Sequence, residues 1–262
     1  MKGILNLSVL QVALAYLFVL IVLFILRARG IRREKELVVS SVRMTLQLIL
    51  VGYLLVYVFD NPNPFFTIAA ILVMEAFAVY TVFKKFKNKL SKELKRVIAA
   101  SMALGTLSCL VYFLLVVVRI SPWYDPQYFI PIAGMIIGNS MTGVSLGVKS
   151  LNEGMTVQRA MVEEALILGA TPQDASREIV NSTFDAAILP TINSMVGMGI
   201  VFLPGMMTGQ ILSGTSPTTA ISYQIAIMLG ILGAVSLSVF TMLQWGYRTF
   251  FNKDQQLRQL PS

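Results

Sequence analysis

Histidine is absent from the chain, and cysteine occurs once, as Cys109. The commonest general acid–base group and the commonest transition-metal ligand are therefore missing. A single cysteine forms no disulfide within the chain and builds no thiolate cluster. These absences argue against an ordinary hydrolase or zinc enzyme. No G-x-x-x-x-G-K-[S/T] phosphate loop occurs, so the chain does not hydrolyse ATP by that chemistry. Charge is scarce: 13% of the 262 residues are charged and 56% are hydrophobic, too apolar for an ordinary soluble domain. Strand-like alternation is missing as well. Helices are the reading of long apolar runs, because backbone amides in lipid must pair within their own segment.

What is present is a series of such runs, each near the length that crosses a bilayer. They cover residues 6–26, 37–59, 65–83, 98–118, 129–148, 186–212 and 220–247. The formal charge of +8 is placed at their ends rather than in a nucleic-acid-binding face. Arg27, Arg29, Arg32, Arg33 and Lys35 follow the first run; Lys84, Lys85, Lys87, Lys89, Lys92, Lys95 and Arg96 follow the third. The positive-inside rule puts both groups in the cytoplasm and leaves only Lys2 and Arg119 outside. The expectation is an all-α polytopic membrane protein of about seven spans, N-terminus outside and C-terminus cytoplasmic, forming one transmembrane domain over residues 1–262. Phe83, Phe86, Leu90, Leu94 and Val97 recur at helical spacing, predicting an amphipathic helix through the second basic stretch. Pro190, Pro204 and several glycines predict that the sixth span kinks or unwinds.

The one long hydrophilic connection, about residues 149–185, spells helix, turn, helix. Residues 156–168 are mostly good helix formers, and Gly169 suits a C-terminal cap. Thr171, Pro172 and Asp174 suit the N-cap and first turn of the next helix. A small elbow of this kind, with Ala165 and Ala170 permitting close approach, can pass force to a docked soluble partner. Within the spans, Glu75 is a functional candidate, since an ionisable group there costs about 2.5–3.5 kcal/mol unless paired or wetted. Arg43 is a candidate partner for it. Asn139-Ser140-Met141 recurs as Asn193-Ser194-Met195, a pattern that serves close helix packing or ligand contact. Asn139, Met141, Asn193 and Met195, with Met198, Met206, Met207 and Gln210, form a candidate substrate path alongside Glu75.

The elbow resembles the coupling loop of ABC-transporter permeases, E-A-A, three residues, G, nine residues, I-x-L-P. Glu163, Ala165, Gly169 and Ile179 stand at that spacing; Glu164 replaces an alanine, and Asn181-Ser182 stands where Leu-Pro is usual. With Gly138-Asn139-Ser140-Met141-Thr142-Gly143, Pro190-Thr191-Ile192-Asn193-Ser194-Met195 and Leu203-Pro204-Gly205-Met206-Met207-Thr208-Gly209-Gln210, the chain is similar to the bacterial FetB family. That is a family of iron-export permeases related to plant aluminium-tolerance transporter subunits.

The resemblance implies a permease of the bacterial inner membrane, two copies of which pair with two ATP-binding subunits. Partner coupling then falls to Glu163, Glu164, Ala165, Gly169, Ala170, Thr171 and Pro172. ATP and Mg sit on the partner, and no cofactor is expected on this chain. The metal is not decided by the residues: methionine sulfur suits soft ions such as Cu(I), whereas iron prefers oxygen ligands. A lipid or small organic substrate, or import instead of export, stays open. An intramembrane enzyme lacks a nucleophile–base pair, and a seven-span receptor leaves the elbow without a role.

Overall fold

The apolar runs become helices, and short polar side chains cap the starts of most of them. The computed structural model describes residues 8–86 and 90–258. Among these, all extended regular structure is helical, with two isolated bridges, Met198 to Phe202 and Phe251 to Leu257. Six helical stretches are long and apolar enough to cross a membrane: Val9–Ala28, Glu34–Asp60, Pro64–Lys85, Lys92–Val118, Pro126–Val157 and Pro217–Phe250. Three start alike, with a capping side chain followed by proline. Asn63 accepts from the Phe65 amide at 2.9 Å before Pro64, and Asp125 from the Gln127 amide at 3.0 Å before Pro126. Ser216 accepts from the Thr219 amide at 3.3 Å before Pro217. Proline costs nothing at the first helical position, where its missing N–H has no intrahelical acceptor.

The chain divides into two compact units. The first runs to Pro62 and includes Leu212–Gly214. It holds α1 (Val9–Ala15), α2 (Leu17–Ala28) and α3 (Glu34–Asp60), with Gly30 at φ +66° in the turn before α3. The Tyr16 hydroxyl bridges to α3 through the Thr45 hydroxyl and lies 3.5 Å from the Ser41 carbonyl. Among these helices only Val58 is buried. So much exposed Leu, Val and Phe is tolerable only with lipid or other helices as surroundings.

The second unit holds α4 (Pro64–Lys85), α5 (Lys92–Tyr112, prolonged by a π-helical turn over Phe113–Val118), α6 (Pro126–Val157) and α7 (Arg159–Ile167). After these come α8 (Pro172–Ala175), α9 (Arg177–Gly197), α10 (Gly205–Leu212, of which Leu212 falls in the first unit) and α11 (Pro217–Gly246). α11 packs on α5, α6 and α9, and α6 also packs on α4. Their core includes Ile98, Met102, Ile132, Ile136, Leu151, Ile179, Ile227 and Met242, each under 2% exposed. Glycine sets the closest approaches. A Cβ on Gly143 would lie 2.7 Å from Val235, and one on Gly154 2.6 Å from Ile179. Such small-residue contacts let helices associate in lipid, where hydrophobic driving force between them is lost. α6 and α11 run in the same direction, since Gly143 lies on Val235 and Gly147 on Met242.

One expectation needs correction. The amphipathic helix expected through residues 83–97 is interrupted: α4 ends at Lys85, and α5 begins after Ser91, whose hydroxyl accepts from the Leu94 amide at 3.0 Å. A local cap has overridden the periodicity. Lys2, Lys87 and Lys89 lie outside the described residues. The sixth run, by contrast, is interrupted as its prolines and glycines predict. Pro190 is carried inside α9, while the chain unwinds between Gly197 and Gly205, where Gly199 takes φ +82° and Pro204 precedes α10.

Candidate functional site

The elbow is built by local hydrogen bonds. α7 closes in a Schellman cap: the Ala170 amide bonds the Ala165 carbonyl at 2.9 Å, and the Gly169 amide the Leu166 carbonyl at 3.0 Å. Gly169 sits at φ +91°, a conformation that L side chains disfavour. Ala165 and Ala170, the two positions this cap brings together, both pack against the core. Thr171 then caps α8, its hydroxyl 3.2 Å from the Asp174 amide and 2.6 Å from the Asp174 carboxylate, with Pro172 first in the helix. Glu163 pairs with Arg159 at 2.8 Å, one turn earlier, and Glu164 is exposed. The tip between the two helices is apolar: Ile167 is 84% exposed and Leu168 87%.

The candidate path residues fall into two groups. α6 and α9 are antiparallel neighbours. Gly154 lies on Ile179, the Ser150 and Thr183 hydroxyls are 3.4 Å apart, and Gly147 lies 3.7 Å from Ala187. Extending that register brings Asn139 level with Asn193, so the two Asn-Ser-Met triplets sit at one depth. Both asparagines are exposed on the single chain; Asn139 donates to the Met135 carbonyl at 2.7 Å. Thr142, exposed one turn from Asn139, extends this polar face; the sequence marks it only as part of the 138–143 stretch. The methionines turn the other way. Met141, Met195, Met198 and Met206 are half-buried against the core, and Met207 is buried. Gln210, half-buried on α10, lies beyond the break in the sixth run.

Glu75 belongs to neither group. It is buried on α4, and its Oε2 accepts from the Thr106 hydroxyl of α5 at 3.0 Å. Oε1 has no hydrogen-bond partner among the described residues. Among those residues no group of three or more Asp, Glu or Cys side chains could hold a metal ion. One element near the elbow reads in the sequence only as a polar tail: after α11 the chain folds back through the Phe251–Leu257 bridge, and Arg258 reaches Glu93 at 2.7 Å. Asn252, Lys253 and Asp254 carry a turn signal that the polar character of the segment conceals.

With this geometry in view, the comparisons are specific. The sequence model described as "Uncharacterised protein family (UPF0014)" matches residues 9–251. The chain belongs to the UPF0014 family. It is 34% identical over 250 residues to the Bacillus subtilis UPF0014 membrane protein YjkA, covering 95% of this chain and 98% of the other. It is 35% identical over 246 residues to the Arabidopsis thaliana "Protein ALUMINUM SENSITIVE 3", covering 94% and 88%. It is also 32% identical over 252 residues to the Escherichia coli "Probable iron export permease protein FetB", covering 96% and 95%. No solved structure gives a significant match. The UPF0014 chain described here is thus a multi-pass membrane protein, and the resemblance to the FetB family spans nearly its whole length.

Proposed function

We propose that this UPF0014 protein is the membrane-spanning permease subunit of an ABC transporter that exports a metal ion, iron first, powered by a separate ATP-binding subunit. The observation that carries the proposal is the elbow: a turn held by a Schellman cap on one side and a Thr171 cap on the other, presenting an exposed apolar tip. Two apolar side chains this exposed, beyond the spans, suit a soluble partner better than water. The iron export named for the Escherichia coli relative supplies the cargo.

The parallel course of α6 and α11 supports seven crossings, because the chain must return across the membrane between them; α9, the unwound stretch and α10 together make that return. With the basic segments inside, the N-terminus lies outside and the elbow and C-terminus in the cytoplasm. The membrane is then the inner membrane of a bacterial cell. Asn139, Thr142 and Asn193 are exposed at mid-span, where polar side chains face a bundle interior or water and not lipid. A second copy of the chain covers that face, so the transporter pairs two permeases with two ATPases and the path runs between the α6–α9 faces. ATP and Mg belong to the partner. An apolar groove of about 670 Å³ between α5 and α11, lined by Cys109, Tyr112, Phe113 and Leu229 among others, favours a second reading in which the cargo is a lipid or other amphiphile.

Leu168→Asp tests the elbow without touching the core. The purified complex is expected to lose at least tenfold of its ATP-binding subunit, about 1.4 kcal/mol of association, while the permease still inserts. Copurification at the native level contradicts the coupling role.

A further inference from the structure

The elbow is joined through the chain to α6 and α9, yet it is also tied across space to α5. Phe250 and Phe251, both buried, anchor the start of the C-terminal segment. The chain then reverses: the Asn252 amide bonds the Gln256 carbonyl and the Gln256 amide bonds the Asn252 side chain, both at 2.8 Å. The Arg258 amide returns to the Phe250 carbonyl at 2.8 Å. This reversal aims the Arg258 guanidinium at Glu93 in the first turn of α5, with Nη1 2.7 Å from Oε2 and Nη2 3.5 Å from Oε1. The Arg258 carbonyl accepts from Arg159 Nη1 at 3.3 Å, and Arg159 Nε donates to Glu163 at 2.8 Å. A continuous polar chain therefore runs from α7 through the tail to α5.

We propose that this chain is a second mechanical link, through which displacement of the elbow moves α5, with Arg258 as its positioning residue. The inference rests on the reading that the elbow receives motion from an ATP-binding partner. Ion pairs as exposed as these add little to stability, so holding the fold together is a poor account of them. A two-pronged Arg–carboxylate contact does define direction. α5 is also the helix whose Thr106 holds Glu75, so the link reaches from the cytoplasmic face to the buried carboxylate of the span. In addition the tail borders the elbow: Asp254, Gln256 and Leu257 face Glu163, Leu166 and Gly169 across a groove of about 480 Å³. Movement of α7 cannot leave the tail undisturbed.

The test uses the complete complex in membrane vesicles, in a Cys109→Ser background. Arg96→Cys, exposed one turn beyond Glu93, carries the reporter. The rate of its reaction with a water-soluble maleimide is measured without nucleotide and with ATP plus vanadate. A rate that changes with nucleotide in the otherwise native chain is expected. That response should disappear in Arg258→Ala and return when the pair is exchanged as Glu93→Arg with Arg258→Glu, the ATP-binding subunit copurifying throughout. A full response in Arg258→Ala, or none in the native relay, overturns the link while leaving the elbow's docking role standing. If the subunit does not copurify even with the native chain, the docking reading fails and the link falls with it.

Discussion

Replacing Asn139 and Asn193 together by alanine is expected to abolish transport while the permease still folds and binds its ATP-binding subunit. The two amides lie level on antiparallel helices, and both are exposed on the single chain. In lipid, such groups would be a standing cost, and their removal would stabilise the protein and leave its activity untouched. If they line the proposed path between two copies, losing both should slow transport at least tenfold, about 1.4 kcal/mol in the barrier. Transport by the double variant in vesicles decides between these outcomes. Unchanged transport would mean that the asparagines take no part in the path.

Gly105→Val is expected to remove the folded protein altogether. A Cβ at this position would clash with the Ser238 hydroxyl and lie 2.7 Å from the Ser238 amide nitrogen and Cα. Backbone atoms cannot rotate away as a side-chain end can, so α5 and α11 must separate along their contact. Overpacking usually costs about 1–3 kcal/mol, and a backbone clash should exceed that range. Gly134→Ala is the control: nothing lies within 4 Å of a Cβ there, and the exchange should gain up to about 1 kcal/mol in helix propensity. Thermal unfolding of both variants in detergent measures the difference. A Gly105→Val protein that unfolds at the native temperature would show the α5–α11 contact to be misplaced.

Much of this was legible from residue chemistry that acts locally. Gly169, Thr171 and Pro172 announce the elbow because a positive-φ cap and a hydroxyl N-cap each need a particular residue type, and the structure uses them in those roles. The Asn63-Pro64 and Asp125-Pro126 pairs start their helices by the same chemistry, although hydropathy alone places those starts at Phe65 and Phe129. What escaped depends on neighbours distant in sequence. Ser91 interrupts a helical periodicity that looked continuous, because one capping bond outweighs a weak amphipathic pattern. Glu75 stands out in the sequence as an ionisable group within a span, but its neighbour Thr106 on α5 could not be read there. The repeated Asn-Ser-Met triplet was visible, but its level pairing came only from the α6–α9 register. Arg258 was unreadable as a link, since nothing in a polar tail names Glu93 as its target.

Elemental mass spectrometry decides whether this chain exports metal with ATP, by comparing cells that express it with an active ATP-binding subunit and cells carrying a hydrolysis-dead one. Cellular iron should fall only with the active subunit. Equal iron in the two, with every other metal also unchanged, would contradict it.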